Sequence, residues 1–475
     1  MKIEELRVSE ILDSRGESTI EFGITTPHGT FIGSSPSGKS TGKYEAPTYR
    51  NGLVGDIQAI KAKEAAIKEL YFNHFIDLAK LELLLKRDVG ANTLIALESA
   101  ILKAMAAEQK KQVWQILNAN AKRLPIPVVN IIGGGKHTKE SRKPDFQEFL
   151  VIPNAESLIE NKRVVKEIYN KLPWKLRFRD KKLFINKNDE GAYNTKMANN
   201  EVLAFLSEFD IKLGLDVAAS SFYKTENYLY NNPLKVMGRE EQIKSIINTI
   251  KNFKLFYVED PVEEEDYEGF AEIKKETDCL IVGDDLIATH PERLKKSIME
   301  NSINAVIVKP NQSGSLLEVK KIVEIAKAHD LKIVFSHRSG ETQDSILADL
   351  AFAFESDYIK ISLGEGDSTK WQRLEGIERF LKGEVTEEQA VQQEEVLDLR
   401  LTKEEAKVLE QPVKPVTSAS IEIKEERQNF KEKVASEMKD RAKHIDYFKD
   451  KYGKKGINSK LEDKDKYKYS FERKK

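Results

Sequence analysis

Cysteine is nearly absent. The 475-residue chain has one, Cys279, which excludes an internal disulfide and any zinc site built from cysteines. It also fits a reducing compartment. Charge of one sign is missing too: 77 Lys and Arg face 78 Asp and Glu, a formal net charge of −1. That balance argues against a protein that coats nucleic acid over its whole surface. No stretch reaches the ~18 consecutive apolar residues of a membrane span; the best one, residues 93–107, is broken by Glu98. The opening MKIEELRVSEIL carries Glu4 and Glu5 and no apolar core, so it does not read as a signal peptide. These absences together predict a cytoplasmic protein without a membrane span.

What is present is enough apolar residue, 40%, for a substantial core, and a length that suggests roughly two to four domains. Residues 1–53 alternate polar and apolar positions, and "STIEFGITTPHGTFIGSS" predicts two strands joined at Pro27–Gly29. A helical pattern follows over residues 57–86, "IQAIKAKEAAIKELYFNHFIDLAKLELLLK", with Ile57, Ile60, Ala65, Ile67 and Leu70 at helical spacing, and again in "NTLIALESAILKAMAAE". Strands first and helices second predict a small α+β domain over about residues 1–120.

From residue 124 short apolar runs alternate with helical patterns. They end at Asp216, Glu259, Asp284, Lys309, His337 and Lys360, at separations of 43, 25, 25, 28 and 23 residues. A strand, a helix and their two loops fill such intervals. The pattern therefore predicts a parallel sheet covered on both faces, the length of one β/α barrel over residues 124–385. In that fold chemistry sits at the carboxyl ends of the strands. Three acids followed by three groups able to carry positive charge are a candidate site. The zone from 390 to 475 is charged, with "QPVKPVTS" as a linker and Phe430, Val434, Met438, Ala442 and Ile445 at helical spacing. Its last 25 residues hold ten Lys/Arg and four Asp/Glu, an excess of +6, with four aromatics among them. A solvated tail is the simpler reading; a weak anionic partner is the other.

Residues 33–40, GSSPSGKS, satisfy the phosphate-loop pattern. That pattern requires a helix beginning at its Lys-Ser pair. Gly42, Pro47 and Gly52 follow instead and forbid one.

Several segments taken together resemble the enolase family: "ILDSRGESTIEFGI", "PSGKSTGKYEA", "IPVVNIIGGGKH", "FQEFLVIP", "NDEG", "LGLDVAAS", "YVEDP", "VGDDL", "KPNQSGSL", "SHRSGET" and "DYIK", in family order over about residues 1–380. The resemblance implies an enolase-type barrel behind an N-terminal capping domain. It implies a Mg²⁺-dependent lyase that interconverts 2-phosphoglycerate and phosphoenolpyruvate in glycolysis, with two Mg²⁺ per site and a homodimer or higher oligomer. By the same resemblance Asp216, Glu259 and Asp284 hold the first metal and Ser40 helps bind the second. Lys309 is the base at C2, with a pKa lowered by Lys360 and the metals. Glu190 is the acid for the departing hydroxyl, paired with Glu148. Arg338 and Ser339 grip the phosphate, Lys360 the carboxylate, and His137, Gln147 and His337 contact substrate. The chain departs from the family at Lys39, at Ala192, in the longer "GGGKHTKESRKPDFQE" with His137 eleven residues before Glu148, and in "ISLGEGDSTKWQR" after Lys360. Two other functions stay open: another lyase or racemase of the superfamily, and, given these departures and the basic tail, a non-catalytic enolase-like binding or scaffold protein.

Overall fold

The computed structural model describes residues 1–38, 42–179 and 185–391. The predicted second metal ligand Ser40, the unusual Lys39, and the tail from residue 392, including its amphipathic stretch and basic end, lie outside the described residues.

The N-terminal part begins with an antiparallel meander, Glu5–Leu12, Ser18–Thr26 and Gly29–Ser34. Ser18–Thr26 is the central strand and is almost wholly buried. The helix Ala91–Glu108 lies on it, buried from Ala91 through Ala106, which is why its sequence is apolar nearly all round. Gly33 permits the contact: a Cβ there would stand 2.2 Å from the Ala96 carbonyl oxygen. The long helical pattern of residues 57–86 becomes two helices, Gly52–Lys68 and Leu78–Leu85. Between Tyr44 and Asn51 there is no helix, so the phosphate-loop reading has no structural basis there.

Polar groups of that buried helix reach the barrel. Glu98, the residue that interrupts the apolar run, accepts the Leu316 N–H at 2.7 Å. Lys103 pairs with Asp344 at 3.0 Å. Asn92 accepts from Asn311 at 3.0 Å. Among the described residues, no helix is long and apolar enough to cross a membrane.

Of the remaining strands, Tyr223–Lys224, Asn227–Asn231 and Leu234–Met237 form a small antiparallel sheet, and the other nine form one sheet in which Tyr193–Asn194 is an edge strand beside Ile126–Gly133. The other eight close into a barrel through pairing of Tyr358–Lys360 with Ile126–Gly133. Alternate strand residues fill its inside, among them Val128, Leu150, Tyr257, Val282, Ile307 and Val334. Their neighbours Val129, Phe149, Val258, Ile281, Val306 and Phe335 join the larger core that includes the surrounding helices. Period-two alternation with both faces apolar explains the short continuous apolar runs.

One strand corrects the all-parallel expectation. Glu148–Ile152 runs antiparallel to both its neighbours, Ile126–Gly133 and Lys212–Asp216. The connection before it contains only a short turn, Gly135–His137, and lacks the long crossover helix that a parallel return needs. As a result the first residue of this strand, not its last, stands at the mouth: Glu148 is registered opposite Asp216.

Candidate active site

The six strand-end residues converge at the carboxyl mouth of the barrel. Asp216, Glu259 and Lys360 terminate their strands, and Asp284, Lys309 and His337 follow theirs by one residue. Glu259 is registered beside Asp216. One pocket is lined by His137, Gln147, Glu148, Glu190, Asp216, Asp284, Lys309, His337, Arg338, Ser339 and Lys360. Glu259 is the one described candidate that does not line it. It is fully buried, accepts the Tyr257 hydroxyl at 2.7 Å, and lies beneath Lys360.

Lys360 Nζ is the hub of the acidic wall. It stands 3.1 Å from Glu148, 3.1 Å from Asp216 and 3.0 Å from Glu259. Burial works against its charge, but these carboxylates overcome that and hold its pKa well above the ordinary lysine value. Lys309 Nζ is paired with Asp284. Burial, then Arg338 and Lys360, act to lower the Lys309 pKa, but Asp284 outweighs them and the net shift is upward. This reverses the expected lowering in the free protein.

The acidic set fits a divalent cation. Burial, then repulsion from Asp216, drives the Glu259 pKa well up. Burial and the neighbouring acids Asp285 and Asp284 do the same to Asp260, and burial with Asp284 pushes Asp285 up to about 7. Two ammonium groups do not neutralise this collection, and Asp284 Oδ1 is buried without a hydrogen-bond partner. Clustered carboxylate oxygens with surplus negative charge are the donor set that a hard cation takes. Asp260 has a support role: it accepts the N–H groups of Asp284 at 3.1 Å and Asp285 at 2.7 Å from a left-handed backbone, φ 44°.

Across the pocket, His137 bridges two carboxylates. Its Nδ1 lies 3.3 Å from Glu190 and 3.6 Å from Glu148, so the longer loop still delivers His137 to the site. Burial is the largest influence on all three groups. For Glu190, His137 outweighs it, aided by His337, and holds this carboxyl well below its usual range. For Glu148, burial and the Glu190 charge prevail and raise it to about 7. Of the pair, Glu148 is therefore the carboxyl held toward its protonated form and Glu190 the one held ionised. Glu190 also accepts from Asn130 at 3.0 Å. Ala192 does not occupy the left-handed region, so a side chain is tolerated where the family has a second glycine. Gln147 donates to Asp216 at 3.2 Å.

On the remaining side, Arg338 is occupied by protein groups. Its guanidinium pairs with Glu45 at 3.1 Å and donates to Asn311 at 2.9 Å. Ser339 accepts from Arg15 at 3.1 Å. Sequence reasoning missed Glu45, Asn311, Asn130, Tyr257 and Arg15 as supports of the site. All five lie inside quoted motifs, Arg15 in "ILDSRGESTIEFGI", Glu45 in "PSGKSTGKYEA", Asn130 in "IPVVNIIGGGKH", Tyr257 in "YVEDP" and Asn311 in "KPNQSGSL", which was the available signal.

Residues 3–117 match the family model described as enolase, N-terminal domain, and residues 121–392 match enolase, C-terminal TIM barrel domain. A protein named enolase from Archaeoglobus fulgidus is 34% identical over 397 residues, covering 80% of this chain and 98% of its own. One from Methanosphaera stadtmanae is 35% identical over 389 residues, covering 77% and 94%. One from Ehrlichia ruminantium (strain Gardel) is 34% identical over 414 residues, covering 80% and 97%. Matched through both its N-terminal part and its barrel, the chain belongs to the enolase family of hydro-lyases.

Proposed function

We propose that the chain catalyses the reversible, Mg²⁺-dependent dehydration of 2-phosphoglycerate to phosphoenolpyruvate. One observation carries this reading: two lysines, a carboxylate pair bridged by a histidine, and an Arg-Ser pair all line a single pocket. Removing water from a phosphorylated hydroxy acid needs a base at the carbon acid, an acid at the departing hydroxyl, and cations for the anionic groups.

Lys309 takes the C2 proton from one side. Asp284 would hold metal and thereby no longer serve as the counter-ion of Lys309, which would ease loss of the ammonium proton. Lys360 faces the substrate carboxylate. Asp216, Glu259 and Asp284, with Ser40, would hold two Mg²⁺, whose charge supports the negative charge that develops on that carboxylate. From the other side the Glu148–Glu190 pair supplies the proton for the departing C3 hydroxyl. Two close carboxylates share a proton instead of both ionising, and His137 between them fixes which one carries it. Arg338 exchanges Glu45 for the substrate phosphate, a match of planar fork to tetrahedral oxyanion. Ser339, Gln147 and His337 complete the contacts.

The reading extends to a cytoplasmic homodimer or higher oligomer acting in glycolysis, on the strength of the family, and to a weak anionic partner for the basic residues 451–475. The test is ultraviolet absorbance on mixing the protein, 2-phosphoglycerate and Mg²⁺. Growth of the conjugated double bond's band is expected. A flat trace with properly folded protein and Mg²⁺ would overturn the reading.

A further inference from the structure

The stretch after Lys360, where the chain departs from its family, carries an unassigned group against the site. Asp367 closes the short turn Glu365–Asp367, immediately before the helix Ser368–Leu381. Its Oδ2 lies 2.6 Å from His337 Nδ1 and also accepts the Ser362 N–H at 2.7 Å. Both side chains are buried, with Asp367 1% and His337 4% exposed. Lys370 Nζ stands 3.7 Å from Oδ1 and 2.8 Å from Glu341. The carboxylate is therefore anchored by backbone on one side and by an ammonium on the other. His337 lines the pocket and Asp367 does not.

We propose that Asp367 is a positioning residue: it holds the His337 ring by Nδ1, directed away from the pocket, and so turns Nε2 toward the substrate. Resting on the proposed function for its consequence in turnover, this deepens the role of His337. An imidazole nitrogen bonded to a carboxylate keeps its proton, and that fixes what the other nitrogen offers. The charge balance agrees. Burial, the largest influence, lowers the His337 pKa, but the Asp367 charge and hydrogen bond, with Glu190 and Glu341, raise it to about 9. The ring then faces an anionic substrate with Nε2–H and a positive charge. The same stretch backs the acid wall: a Cβ on Gly364 would lie 3.0 Å from the Glu190 carbonyl oxygen.

The test is ¹⁵N NMR of the full chain with labelled histidine, His337 being assigned by its loss in H337Q, beside turnover of 2-phosphoglycerate against pH. Wild type should show Nδ1 protonated and a His337 midpoint near 9. In Asp367→Asn the midpoint should fall toward about 6.5. The alkaline limb of kcat/KM should move down with it, and kcat/KM should drop about 10–100-fold, the scale seen when a carboxylate that orients a metal-bound histidine is removed. Asp367→Glu, which keeps the charge, should restore part of both. A wild-type ring without a proton on Nδ1 would overturn the proposal even if the variants fail to fold. So would an unchanged midpoint in Asp367→Asn, or a pH profile that stays put while the midpoint moves. Wild type that turns over no 2-phosphoglycerate would instead overturn the proposed function; the NMR comparison needs no substrate and still decides the ring's orientation.

Discussion

The two walls of the pocket are built differently. Asp216, Glu259, Asp284, Lys309 and Lys360 stand at or one residue beyond the ends of strands that run side by side, with only Lys332–Ser336 between the strands of Lys309 and Lys360. Their backbones are fixed by hydrogen-bonded neighbours and by the apolar layers below. Across from them, Glu190 and His137 lie on connections between strands, and only Glu148 belongs to the sheet. The first wall is held by the fold itself. The second is held by side-chain contacts, His137 to both glutamates and Asn130 to Glu190. On the proposed function, the two steps of one reaction rest on supports of different kinds, strand ends on one side and connections on the other, so damage to each should read out separately.

Lys309→Ala breaks the comparison most severely. It removes the proposed base of the strand-borne wall, and dehydration should fall by about 10²–10⁴-fold or more, with the circular dichroism spectrum unchanged. A variant that keeps more than about a tenth of the rate would show that Lys309 is not the base.

Asp284→Asn probes the same wall through its proposed metal. Removing one negative ligand should weaken Mg²⁺ binding in calorimetry and reduce turnover together. An isotherm identical to wild type would take Asp284 out of the metal set.

Glu45→Gln probes the side between the walls. Arg338 would no longer have to leave a carboxylate to meet phosphate, and KM for 2-phosphoglycerate should fall by up to about tenfold. An unchanged KM contradicts the assignment of Arg338 to the phosphate.

The smallest effect is on stability. The folded-state pKa of His337, about 9, is above its unfolded value of about 6.5. Its contribution is fully present below that unfolded value and is lost as pH rises through 9. Urea unfolding should therefore show wild type exceeding Asp367→Asn most at neutral pH and below, by on the order of 1–3 kcal/mol, with the gap narrowing above pH 9. A gap that widens with pH would reverse the sign of the interaction.

The same contrast explains what was legible in the sequence. An apolar run that stops at a polar residue marks a strand end, so the six residues from Asp216 to Lys360 could be read from spacing alone. Glu148 escaped that rule because its strand is reversed, and its place at the mouth depends on a register that no local pattern announces. Glu190 and His137 came only through the family resemblance, since loop geometry has no period. Asp367 and Glu45 were missed as partners because each lies far along the chain from the residue it holds, 30 residues for His337 and 293 for Arg338. The helical pattern of residues 57–86 hid a break because Leu70 and Phe72 continue its apolar character through a non-helical turn.

The most direct measurement follows the C2 proton of 2-phosphoglycerate in D₂O with Mg²⁺, beside dehydration, for wild type, Lys309→Ala and Glu190→Gln. If proton removal belongs to the strand-borne wall and hydroxyl departure to the opposite one, Lys309→Ala loses both C2 exchange and dehydration. Glu190→Gln then retains exchange while dehydration collapses. Loss of exchange in Glu190→Gln as deep as its loss of dehydration, or exchange persisting in Lys309→Ala, would contradict the division of labour between the walls.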